Sequence, residues 1–99
     1  MEIQTPPIQI TEKAKQEAKY ILDNKNIPEG YGLRVGMRGG GCGASFFLGF
    51  DQPKEQDQVF QLSEFRVIID KRHFMYLFKM ELDFEEQETE RGFVFNKLP

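Results

Sequence analysis

The chain has 99 residues, a formal net charge of −3 and a sequence pI near 5.2. That length accommodates one domain of ordinary size, and 10 Phe with 3 Tyr supply enough large apolar surface to exclude a disordered chain. The acidic balance sets nucleic acid aside as a partner, because phosphate backbones favour a basic patch.

Residues 1–7 read as a loose N-terminal arm, since Pro6 and Pro7 block regular pairing, and residues 8–99 as a single domain. Ile8-Gln9-Ile10 suits a short strand. Thr11 suits a helix N-cap, its hydroxyl accepting from an orphan amide of the first turn. Ala14, Ala18, Ile21 and Leu22 then form one apolar stripe at helical spacing. Asn24, Asn26 and Ile27-Pro28 end that helix, and Glu29-Gly30 turns the chain.

Beyond the turn the period changes from 3.6 to 2. Leu33, Val35 and Met37 alternate with Arg34, Gly36 and Arg38, the pattern of a half-buried strand. Phe46, Leu48 and Phe50 alternate in the next run, residues 51–57 form a polar loop, and two further pieces carry Phe60 with Leu62, then Phe65, Val67 and Ile69. Asp70 suits the cap of a short helix whose apolar stripe is Phe74, Leu77 and Phe78. Met80, Leu82 and Phe84 resume the strand period, and Phe93 with Phe95 close the chain. The sum is one flanking helix, one short helix and about six or seven strands. The fold class is α+β, mostly β, with mainly antiparallel or mixed pairing because few helices separate the strands.

The longest uncharged apolar block, Phe46–Phe50, is far short of the roughly 20 residues that span a bilayer, so no membrane partner is expected. The N-terminus has neither a basic nor an apolar leader region, and Cys42 is the only cysteine. A reduced, cytoplasmic setting fits both features.

Chemistry concentrates in Gly39-Gly40-Gly41-Cys42-Gly43. Glycines in a sheet connection supply positive φ or let a group approach the backbone closely. Successive amides in such a loop can form an anion-binding nest, and a thiol inside it, with Arg38 close in sequence, would have a reason to ionise more readily than a free thiol. A thiolate binds metal or attacks an electrophile; the plain alternative is a hairpin loop with an inert cysteine.

Other readings of the motifs fare worse. Gly39-x-Gly41-x-x-Ala44 matches a relaxed dinucleotide fingerprint, but a strand follows where a helix is needed. A Walker A loop lacks its Gly-Lys-Ser/Thr. Cysteine catalysis needs a base, and the sole histidine, His73, sits in the short helical segment with nothing in the sequence to bring it to Cys42. No C-x-x-C or H-x-x-x-H spacing marks a closed metal site. The acidic run Glu85–Glu90 lacks the grammar of a calcium loop and reads as a solvated turn.

In order along the chain, Ile10-Thr11-Glu12-Lys13-Ala14, the strand Gly32–Arg38 with its Gly-Cys-Gly loop, Val67-Ile68-Ile69-Asp70, Leu82-Asp83-Phe84 and Gly92-Phe93-Val94-Phe95-Asn96 resemble the A-type iron–sulfur carriers, the HesB/IscA-like family. The resemblance covers about residues 8–96. It implies a compact, mostly β domain that forms homodimers or homotetramers and is not an enzyme. It implies iron or an iron–sulfur cluster as cofactor, accepted from a scaffold and passed to apo-proteins. Cys42 is the matching metal and cofactor ligand, with Gly39, Gly40, Gly41 and Gly43 as its supporting loop.

The family's further Cys-x-Cys pair has no counterpart before the final Asn96-Lys97-Leu98-Pro99. A cluster takes typically four ligands, so the remainder are expected from a second copy, non-cysteine groups, a small thiol or a partner protein. Two alternatives stand beside cluster carriage: a binding module of the same fold that holds no cluster, and a redox-responsive thiol protein.

Overall fold

The computed structural model describes residues 5–39 and 45–99. In order, β1 (Gln9–Ile10), α1 (Glu12–Asn24), β2 (Gly32–Arg38), β3 (Ser45–Asp51), β4 (Asp57–Gln61) and β5 (Arg66–Asp70) are followed by a 3-10 turn at Lys71–His73. Then come α2 (Phe74–Leu77), β6 (Met80–Glu86) and β7 (Arg91–Lys97). These form a three-stranded sheet, β1-β6-β7, and a four-stranded sheet, β3-β2-β5-β4. The α+β, mostly β class expected from the sequence is what forms.

Three antiparallel hairpins, β2–β3, β4–β5 and β6–β7, account for most of the pairing. The two remaining ladders, β1 with β6 and β2 with β5, are parallel. Strands distant in sequence meet this way because their connections pass over the sheet through helix or loop instead of a tight turn.

The alternation read from the sequence orients each strand. Leu33, Val35, Val67, Ile69, Phe60, Leu82 and Phe84 point into one buried cluster with Ala14 and Ala18 of α1. The helix starts where expected: the Thr11 hydroxyl accepts from the Ala14 N–H at 3.2 Å and donates to Asp83 Oδ1 at 2.7 Å. One side chain thereby caps α1 and fastens it to β6. Gly30 takes the positive φ, +89°, that its turn requires.

The short second helix departs from its expected stripe. Asp70 caps the 3-10 turn through the Arg72 N–H, and Leu77 is buried, but Phe78 is 61% exposed together with Met75 and Tyr76. The helix proper has only four residues, Phe74–Leu77. Phe78 still has helical backbone dihedrals, φ −56° and ψ −35°, but it stands at the C-cap, and of the expected stripe only Leu77 is fully buried.

Candidate metal centre

The β2–β3 hairpin positions the glycine-rich segment. Arg38 pairs with Ser45, so both feet of the connection stand on neighbouring strands. Gly39 leaves β2 with φ +77°, a conformation that glycine adopts without strain. Gly40, Gly41, Cys42 and Gly43, on which the expected metal site falls, lie outside the described residues.

The surroundings of the two feet are well defined. On the upstream side, β5 pairs with β2 through Leu33 and Arg34 and ends at Asp70. The chain then turns through Lys71–His73, and His73 Nδ1 accepts the backbone N–H of Met37 at 3.3 Å. Gly36 permits this approach: a Cβ there would stand 2.8 Å from His73 Nδ1 and 3.0 Å from the Phe47 ring. On the downstream side, Phe46 stacks on Phe95 of β7 with ring centroids 5.4 Å apart, joining the two sheets beside the connection. Sequence reasoning left His73 in its helical segment. The only signal of its role was a glycine, Gly36, inside an otherwise regular strand.

Arg38 is exposed, and its guanidinium lies 4.6 Å from the Phe47 ring centroid. It is an outward strand residue engaged in a cation–π contact. The acidic run is likewise solvated: residues 85–90 are exposed, and Glu86 pairs with Arg91 at 3.1 Å.

The outer face of the four-stranded sheet carries an ion cluster. Arg34 Nη1 and Nη2 donate to both oxygens of Asp57 at 2.8 and 2.6 Å, and Arg34 Nε donates to Asp51 Oδ2 at 2.9 Å. Arg34 and Asp57 side chains are only 14% and 2% exposed. The forked geometry holds Asp57 below the usual carboxylate range. Asp51 is lowered to about 2, chiefly by the Lys54 ammonium, then by the Gln52 N–H, with a smaller share from Arg34.

Both carboxyls are protonated more readily in the unfolded chain. Their stabilisation is therefore complete above the ordinary aspartate value of about 3.9 and is lost as pH falls toward the folded values. The urea midpoint is expected to drop between about pH 4 and 2; a midpoint flat across that window would contradict the cluster.

A groove of about 690 Å³ runs over this face, bounded by Arg34, Phe47, Asp57 and His73 among others. Among the described residues no group of three or more His, Cys, Asp or Glu side chains is placed to hold a metal ion. The described part of the protein therefore offers a rigid support for the glycine-rich segment and no closed cage of its own. Among the described residues no helix is long and apolar enough to cross a membrane.

Residues 6–97 match the sequence profile of the family described as iron-sulphur cluster biosynthesis. Among curated proteins, the iron-binding protein IscA of Xenorhabdus nematophila is 42% identical over 91 residues, spanning 90% of this chain and 83% of that protein. Among solved structures, Escherichia coli SufA, involved in biosynthesis of iron-sulfur clusters, superposes with a TM-score of 0.75 at 20% identity, covering 91% of this chain and 79% of that one. A crystal structure of IscA with a [2Fe-2S] cluster gives 0.66 at 21% identity, covering 91% and 81%. At those identities the two structures establish a shared fold.

Proposed function

This chain belongs to the iron–sulfur cluster biosynthesis family, and we propose that it binds iron or an iron–sulfur cluster through Cys42 and passes it to recipient apo-proteins. The observation that carries this reading is the match over residues 6–97, which includes the Gly39–Gly43 segment and its single cysteine.

The mechanism is ligand exchange. Deprotonated Cys42 donates its sulfur lone pair to iron, and the neighbouring glycines let the segment fit around the cargo. Backbone amides of the segment would temper the negative charge on sulfur, as hydrogen bonds to sulfur do in such centres.

One thiolate per chain leaves most of the typical four ligand positions to others. A homodimer or homotetramer supplies further copies of Cys42, and a scaffold on arrival or an apo-protein on departure supplies the rest. The protein works as a carrier and not as a catalyst, in the cytoplasm.

Anaerobic reconstitution with ferrous iron and sulfide tests the reading. Wild type is expected to retain iron with visible absorbance, and Cys42→Ser to lose nearly all of both while its far-UV circular dichroism is unchanged. Equal retention in the two proteins, or none in either, refutes it.

A further inference from the structure

The parallel ladder between β2 and β5 stops at Arg34. Beyond that point the edge of β2 facing β5 continues for four residues, Val35–Arg38, toward the glycine-rich segment. Met37 exposes its N–H on this edge, where a further residue of β5 would otherwise take it. His73 takes it instead, through Nδ1 at 3.3 Å. An imidazole that accepts at Nδ1 carries its proton on Nε2, so in this state His73 is a backbone acceptor and offers no lone pair to iron.

Two features make this contact more than an incidental one. Gly36 has no side chain where a Cβ would stand 2.8 Å from His73 Nδ1, so the strand is cut back to admit the ring. His73 also follows directly from the Asp70-capped turn, with the Asp70 carboxylate accepting from the Arg72 N–H at 2.9 Å. The ring therefore approaches β2 from a fixed base.

We propose that His73 is a positioning residue for the Cys42 segment: by holding the Met37 amide it fixes the upstream foot from which Gly39 departs, while Phe46 on Phe95 fixes the downstream foot. This rests on the reading of Cys42 as the iron ligand. With both feet fixed, the strands on either side of the segment do not fray. Cargo loss then requires breaking bonds to iron and not merely opening the hairpin.

The test compares wild type, His73→Ala, His73→Asn and Cys42→Ser in the full chain. Asparagine places its Oδ1 near the position of Nδ1 and restores an acceptor; alanine does not. In the iron-free protein, exchange of the Met37 amide followed by NMR is expected to quicken about 2- to 10-fold in His73→Ala, the factor one net hydrogen bond represents, and to return toward wild type in His73→Asn. In the reconstituted protein, iron loss to a chelator is expected to speed up by a similar factor in His73→Ala and to be rescued in His73→Asn.

If wild type holds iron through Cys42 and His73→Ala releases it at the wild-type rate, the inference falls while the reading of Cys42 stands. Failure of His73→Asn to rescue either rate also overturns it, by removing the acceptor role. If Cys42→Ser holds iron as well as wild type, the reading of Cys42 falls and takes the positioning role with it, whatever Met37 exchange shows.

Discussion

Arg34→Ala is expected to lower the free energy of unfolding by about 3–5 kcal/mol, the usual cost of removing one partner from a buried ion pair. Arg34 is the only cation that reaches both Asp57 oxygens among the described contacts. Asp57 has a side chain just 2% exposed, so without the guanidinium its charge stays buried or takes up a proton. Its remaining partner is the Lys54 N–H at 2.6 Å, which is too little to replace a forked cation. The same substitution frees the Gln52 carbonyl and leaves Asp51 Oδ2 to Lys54 Nζ alone, at 2.9 Å, loosening the β3–β4 connection. Urea unfolding followed by circular dichroism measures the loss. A change below about 1 kcal/mol, the range of exposed pairs, would show that the cluster is solvated.

Leu82→Ala is expected to cost about 2–5 kcal/mol, the range for emptying a buried leucine site. Leu82 is fully buried on the central strand of the three-stranded sheet, paired with Ile10 on one side and Phe95 on the other. Its carbonyl also accepts the Thr11 N–H at 3.0 Å, at the start of α1. The surroundings therefore have little room to collapse into the cavity, because moving β6 disturbs the helix cap and both ladders together. Such rigidity places the cost toward the upper part of the range. Thermal and urea unfolding should agree on it, and a loss under 1 kcal/mol would mean that the strand relaxes freely.

Local pattern carried much of this architecture. Thr11 was readable as a cap because hydroxyl residues satisfy the first amides of a helix, and Leu33, Val35, Val67 and Ile69 were readable as core because alternation sorts the faces of a strand. The parallel ladders were not readable: nothing near Gln9 or Leu33 in sequence announces Glu81 or Val67 as a neighbour. Ile68 shows the limit of alternation. It is fully buried on the opposite face from Val67 and Ile69, on the side where Arg34 and Asp57 form their pair, and that cover depends on tertiary contacts.

At the candidate site the sequence singled out Cys42 by its glycine neighbours and by the family resemblance. It did not connect His73 with β2, because the contact spans 36 positions and is signalled only by the absence of a side chain at Gly36.

The bond from Thr11 to Asp83 joins positions 72 apart, and among the described residues β1 pairs only with β6. During synthesis, the first helix therefore leaves the ribosome long before the strand that anchors it exists. The three hairpins draw on neighbouring sequence and are free to form as they emerge, whereas the N-terminal segment must wait with its alanine face exposed. A nascent chain halted before residue 83 lacks the piece that fastens its own beginning.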